Sequence, residues 1–289
     1  MKEILVLSGK GGTGKTTVAA SLACIVPDSV MADCDVDASD LHLLLEPEIV
    51  EEHRFVSGVK ARVLPEKCTG CGTCVELCAF NAMSLSGEGH AEAGEFSCEG
   101  CGVCAWFCPE EAILLEDNRC GRWFRSETPY GPMIHAALDP GEENSGRLVA
   151  LVKRETSELA KKLEKKWVVV DGPPGIGCPV IASMSGSDII LAVTEPTASG
   201  LHDLKRVREL AIHFKVPLTV CINKWDLNMA KTEEITSWCA EKGLDVAGKI
   251  TFSEEVVRAV MAGKPVVNTE CLASEEIRAI WKNIENSFA

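Results

Sequence analysis

No segment of this 289-residue chain approaches the roughly 20 uninterrupted apolar residues that cross a bilayer. A stable transmembrane helix is therefore excluded. The apolar run Ile4 to Leu7 before Ser-Gly-Lys is also too short for an export signal, so the expectation is a cytoplasmic chain. Positive charge is scarce as well: 29 Lys and Arg stand against 43 Asp and Glu, a formal charge of −14. General nucleic-acid binding needs a basic face to neutralise phosphates and is not expected. Cysteine, by contrast, is abundant. Fifteen is an odd number, and eight of them lie in two short runs. With no export signal, reduced thiolates holding metal explain them better than a secreted disulfide framework.

Residues 3 to 9, EILVLSG, read as a buried strand that runs into glycine-rich turn residues and then a helix carrying Val18, Leu22, Ile25 and Val26. Short apolar runs recur at Ser29 to Ala32, Trp167 to Val170, Asp188 to Val193 and Leu218 to Ile222. Amphipathic stretches alternate with them at Arg147 to Lys165, Leu201 to Phe214, Glu233 to Lys242, Glu254 to Ala262 and Glu275 to Phe288. That alternation predicts an α/β fold, a mostly parallel sheet with helices on both faces. Met133 to Leu138 could add a strand. Between about Lys60 and Asn118 the texture changes to cysteines, glycines and short elements, which marks an inserted domain at 60–118 within a larger one at 1–59 and 119–289. From Glu66 to Asn118 the insert has ten acids and one base, Lys67.

Gly9-Lys10-Gly11-Gly12-Thr13-Gly14-Lys15-Thr16-Thr17 fits a phosphate-binding loop, placed between a strand and a helix as such a loop must be. Its glycines let backbone N–H groups turn onto phosphates, Lys15 reaches the outer phosphates, and Thr16 holds Mg²⁺. Two further stretches end strands in acids: Met31-Ala-Asp33-Cys-Asp35-Val-Asp37 and Val168-Val-Val-Asp171-Gly-Pro-Pro-Gly175. The chemistry needs an acid at a strand's carboxyl end close to that loop, which makes Asp171 a candidate for catalysis. Turn capping is the competing role for Asp33 and Asp37.

The extra lysine, Lys10, makes the loop resemble the deviant Walker A loop of the MinD, ParA and nitrogenase iron protein superfamily. That resemblance implies ATP and Mg²⁺ as ligands, an ATP-dependent homodimer, and a Lys10 that reaches across the dimer to the partner's nucleotide. It also implies that Asp35 is a catalytic residue, the switch I aspartate that orients the attacking water and supports Mg²⁺, and that Asp171 belongs to Walker B and switch II. Asn223-Lys224-Trp225-Asp226 follows a strand, and Asn223 is the expected adenine contact; the same letters resemble the guanine-reading motif of GTPases, which leaves GTP as the lesser alternative.

The cysteine runs, Cys68-Thr-Gly-Cys71-Gly-Thr-Cys74-Val-Glu-Leu-Cys78 and Cys98-Glu-Gly-Cys101-Gly-Val-Cys104-Ala-Trp-Phe-Cys108, share the spacing C-x2-C-x2-C-x3-C. The second ends in Cys108-Pro109, the signature of bacterial two-cluster ferredoxins; Ala79 replaces that proline in the first. The insert thus resembles a ferredoxin with two [4Fe-4S] clusters. In that signature each run's fourth cysteine serves the other run's cluster, which implies Cys68, Cys71, Cys74 and Cys108 for one and Cys98, Cys101, Cys104 and Cys78 for the other. Zinc in Cys₄ sites is the alternative. Cys178 follows Asp171 at the offset where the nitrogenase iron protein places a cluster ligand, so a metal bridging two copies is one reading and a buried thiol the other.

Three functions compete. The leading expectation is an ATP-gated redox protein passing electrons to an unknown partner. Next comes a cluster-assembly or carrier ATPase that delivers to an acceptor protein, and then a positioning ATPase with a redox sensor. The mixed-charge stretch Glu275 to Phe288 reads as a helix packed on the sheet rather than on a membrane.

Overall fold

A computed structural model describes residues 1–288. The chain divides into two compact units: Met1–His53, Trp123–Ala137 and Ser145–Ala289 form the larger, and Arg54–Arg122 with Leu138–Asn144 the smaller. The smaller unit thus takes in residues on both sides of 60–118, and a segment that composition did not mark. Glu142 explains the latter. Its carboxylate accepts from Lys60 Nζ and from Asn118 Nδ2, tying 138–144 to the two long strands of that unit.

The strands in chain order are β1 (Lys2–Ser8), β2 (Ser29–Asp33), β3 (Glu48–Val63), β4 (Met83–Leu85), β5 (Ala91–Ala93), β6 (Ile113–Thr128), β7 (Gly131–Leu138), β8 (Trp167–Pro174), β9 (Ile189–Thr194), β10 (Leu218–Asn223) and β11 (Asp245–Ile250). Nine of them form one sheet in the order β11-β10-β9-β1-β8-β2-β7-β6-β3. From β11 to β7 each pairing is parallel. All of β1 except Lys2 is buried, as is β2, which is what a strand covered by helices on both faces requires. The helices Lys15–Ile25 and Leu272–Asn286 pack their apolar sides on one another and on this sheet, burying Val18, Leu22, Ile277, Ile280, Trp281 and Ile284. Glu275 to Phe288 is therefore part of the core.

Strand β1 is the pivot. Its chain leaves toward β2 on one side, whereas β9 lies on its other side, so the crevice at the carboxyl ends of β1, β8 and β9 is a topological switch point, where open α/β sheets bind ligands.

In the smaller unit, backbone geometry repeats with the thirty-residue offset of the cysteine runs. Gly72 and Gly102 take φ of 80° and 79°, and Asn81 and Glu111 take 52° and 48°. Leu64 N donates to Ala112 O and Gly94 N to Ala82 O, each at 2.7 Å. The antiparallel pair β4–β5 and a core of Cys74, Met83, Ala91 and Ile113 complete it.

Candidate functional site

The loop after β1 closes on the N-terminus of helix Lys15–Ile25. Gly14 is required there twice over: its φ is +88°, and a Cβ would stand 2.3 Å from Asn223 Nδ2. Asn223, at the end of β10, donates from that Nδ2 to Thr13 O at 2.7 Å, and its Oδ1 accepts from Lys224 N at 3.0 Å. Sequence made Asn223 a base contact. In the structure it lines the cavity, but both ends of its amide brace backbone.

Lys15 is buried and its ammonium sits among carboxylates, 2.7 Å from Asp171 Oδ1 and 3.4 Å from Asp35 Oδ2. Burial alone would push its pKa down; Asp171, Asp35 and Asp33 outweigh that and raise it. Thr16 Oγ1 lies 3.3 Å from the same nitrogen. Asp171 lies in the carboxyl half of β8, directly opposite Asp33 at the end of β2. Asp171 Oδ2 is buried without a hydrogen-bond partner, as is Thr13 Oγ1.

Asp33 holds the following turn. Its carboxylate accepts from Asp35 N at 3.1 Å, Ser39 Oγ at 2.7 Å and Leu41 N at 3.3 Å, so the capping role is filled by geometry. Asp37 points to solvent. Burial raises the Asp33 carboxyl to about 7, Asp171 pushes the same way, and Ser39 and Lys15 oppose. Burial likewise raises Asp35, against Lys15. A carboxyl with a raised folded pKa holds its proton longer in the folded state, so its contribution to stability falls as pH rises from about 4 to about 7. Relative to Asp33→Asn, wild-type melting temperature should therefore fall between pH 4.5 and 7.5. Parallel melting curves across that range would refute the assignment.

A cavity of about 620 Å³ opens over the loop, lined by Gly11, Gly12, Gly14, Lys15, Thr16, Thr17, Asp35 and Lys224 at its polar end. Its other end is apolar: Leu43, Ile250, Val256, Val260, Met261 and Ile277. Lys10 lies elsewhere, its Nζ 3.1 Å from Ser199 Oγ and 3.6 Å from Glu195 Oε2. Glu195 and the apolar wall on helix Glu254–Met261 were missed from sequence; the only signal for Glu195 was its place just past the end of a predicted strand. Gly9 packs against Asp203, where a Cβ would come within 2.2 Å.

The cysteine module lies wholly in the smaller unit. Cys68, Cys71, Cys74 and Cys108 line one small cavity, so the fourth cysteine of the second run joins three of the first. Burial raises the Cys74 thiol, and Cys68 and Cys71 are near enough to add to it; Cys98 and Cys101 do the same for Cys104. Four backbone amides point at sulfur: Ala91 N to Cys68 at 3.3 Å, Ala82 N to Cys78 at 3.2 Å, Ala61 N to Cys98 at 3.4 Å and Ala112 N to Cys108 at 3.3 Å. Among the described residues no group of three or more His, Cys, Asp or Glu side chains is placed to hold a metal ion. Cys178 is exposed at the start of helix Cys178–Met184.

The loop at a switch point, its buried lysine and the strand-end acid beside it are the working parts of a P-loop ATPase, and that is the class the larger unit defines. Residues 4–266 match the CbiA family, the CobQ/CobB/MinD/ParA nucleotide binding domain, and the chain belongs to that family. An uncharacterized protein of Methanocaldococcus jannaschii is 31% identical over 239 residues, covering 78% of this chain and 79% of that protein. The septum site-determining protein MinD of Pyrococcus horikoshii, solved with Mg-ADP, superimposes with a TM-score of 0.59 at 14% identity over 98% of this chain and 95% of that one. The cell division ATPase MinD of Pyrococcus furiosus gives 0.58 at 16% identity over 99% and 98%. These two likenesses show the fold. No helix among the described residues is long and apolar enough to cross a membrane.

Proposed function

We propose that this ATPase is a nucleotide-switched iron–sulfur protein, in which ATP-dependent pairing of two copies is coupled to electron transfer through two [4Fe-4S] clusters. The observation that carries this reading is the crossing of the cysteine runs: Cys108 shares a cavity with Cys68, Cys71 and Cys74, as the two-cluster ligand pattern demands. The four N–H groups aimed at Cys68, Cys78, Cys98 and Cys108 suit thiolates, whose negative charge they would stabilise. Zinc in Cys₄ sites is the competing occupant, and the iron content per chain distinguishes the two. Cys68, Cys71, Cys74 and Cys108 would hold one cluster and Cys98, Cys101, Cys104 and Cys78 the other, each supplying one-electron transfer.

At the nucleotide, the loop amides of residues 9–17 would cradle the phosphates of ATP. Lys15 would exchange Asp171 and Asp35 for phosphate oxygens. Thr16 and the strand-end acids suit Mg²⁺, which takes one or two protein ligands beside the phosphates, and the unpartnered Asp171 Oδ2 is an oxygen free to serve it, directly or through water. Asp35 would orient the attacking water, and Lys10 would serve the nucleotide of the other copy.

A second reading has specific support. Family membership and likeness to MinD favour a positioning ATPase, with the cysteine module as its redox sensor. Electron paramagnetic resonance of the anaerobically reconstituted, reduced protein separates the two. Under the first reading the cluster potentials move by tens of millivolts on adding Mg-ATP, where roughly 59 mV is tenfold for one electron. Identical spectra and potentials with and without nucleotide would sink the coupling and leave the positioning reading.

A further inference from the structure

Glu195 follows β9, the strand beside β1, and its carboxylate is shared by two lysines that flank the phosphate loop. Lys224 Nζ lies 2.6 Å from Oε1 and also donates to Gly12 O at 3.4 Å. Lys10 Nζ lies 3.6 Å from Oε2. The carboxylate is 15% exposed, the lysines 34% and 31%. Its mounting is rigid: Glu195 O accepts from Thr197 N at 2.7 Å, Thr194 Oγ1 donates to Gly200 O at 3.0 Å, and a Cβ on Gly200 would strike Glu195 O at 2.3 Å. The backbone of Lys10 is held too, with Ser8 Oγ donating to Lys10 O at 2.8 Å.

One carboxylate therefore faces two ammonium groups beside a loop built to receive an anion. We propose that Glu195 is an internal competitor for bound phosphate: it keeps Lys10 and Lys224 in place beside the loop, and nucleotide phosphates, those of the chain's own nucleotide for Lys224 and of the other copy's for Lys10, must take them from it. Glu195 is a positioning residue, since it acts on the nucleotide through the lysines. Ion pairs with partners about one-third exposed are weak, so a multiply charged phosphate outbids a single carboxylate. ATP, with one more negative charge than ADP, gains more from winning. The device thus favours the triphosphate, and it deepens the reading that Lys10 serves nucleotide phosphates.

The test is equilibrium binding of Mg-ATP and Mg-ADP to the full chain. Glu195→Gln keeps the volume and removes the charge; it should tighten Mg-ATP about three- to tenfold, as loss of a nearby like charge does at a surface site, and Mg-ADP by less. Glu195→Asp should stay close to wild type. In the Lys10→Ala/Lys224→Ala background the gain from Glu195→Gln should vanish. Glu195→Ser serves the same purpose if the glutamine variant folds poorly. Unchanged or weaker Mg-ATP binding in both neutral variants overturns the proposal, and so does a gain that persists undiminished without the lysines. Lys10→Ala alone reports on the reading beneath it: specific activity that stays high and independent of protein concentration removes the cross-copy role of Lys10, whereas the Glu195 result is read from affinity.

Discussion

Lys15→Ala is expected to abolish ATP hydrolysis, by at least about a hundredfold, and to leave unchanged the iron content that the proposed clusters give the protein. The first half follows from where charge develops. In phosphoryl transfer the protein contributes mainly positioning and charge stabilisation, and deleting one well-placed group of that kind costs about 10²–10³ in rate. Lys15 is the only lysine of the loop that lines the cavity. The second half follows from the division of the chain, because all eight cysteines of the two runs lie in the smaller unit and Lys15 in the larger. The variant also loses stability. Lys15 is the cation among Asp33, Asp35 and Asp171, and removing one partner of a buried charge cluster costs about 3–5 kcal/mol. That loss should shrink at pH 5, where the carboxyls with raised pKa take up protons. Iron lost together with hydrolysis would show that the units depend on one another; hydrolysis retained within tenfold would remove Lys15 from the site.

The phosphate loop was legible because its chemistry dictates spacing, and spacing is likewise what the cluster proposal draws from the cysteine runs. A backbone that turns its N–H groups on phosphate needs glycine at φ +80° and +88°, and Gly12 and Gly14 have those values. Strands covered on both faces were also readable as apolar runs. The long strands β3 and β6 were not, because few of their residues are buried, and they mix charge with apolar side chains without clean alternation. Asp33 could be read as a cap from its type and place, but its carboxyl near pH 7 depends first on burial and then on Asp171, 138 positions away in sequence and opposite it in the sheet. Lys10 is the sharpest case. Its residue type and place in the loop imply a role at phosphate, yet its partners, Glu195 and Ser199, are brought to it by the β1–β9 pairing that no local pattern reveals.

That same dependence on non-local placement makes Cys108→Ala the most informative change in the smaller unit. Were each run a self-contained site, this variant would damage the cluster of Cys98, Cys101 and Cys104. The structure instead sets Cys108 against Cys68, Cys71 and Cys74 in one cavity, with Ala112 N donating to its sulfur. The expected outcome is loss of the first-run cluster: iron falls from about eight to about four atoms per chain, the content of one [4Fe-4S] centre. The surviving centre should be the one that Cys101→Ala removes, so the double variant Cys108→Ala/Cys101→Ala should hold neither. Cys78→Ala should mirror Cys108→Ala and spare the first-run centre, because the thirty-residue repeat gives Cys78 the equivalent N–H donor, Ala82. A Cys108→Ala protein whose remaining centre is abolished by Cys71→Ala rather than Cys101→Ala would mean that the runs do not exchange ligands. Full iron in every single variant would remove the clusters from the proposal and leave the ATPase without its redox module.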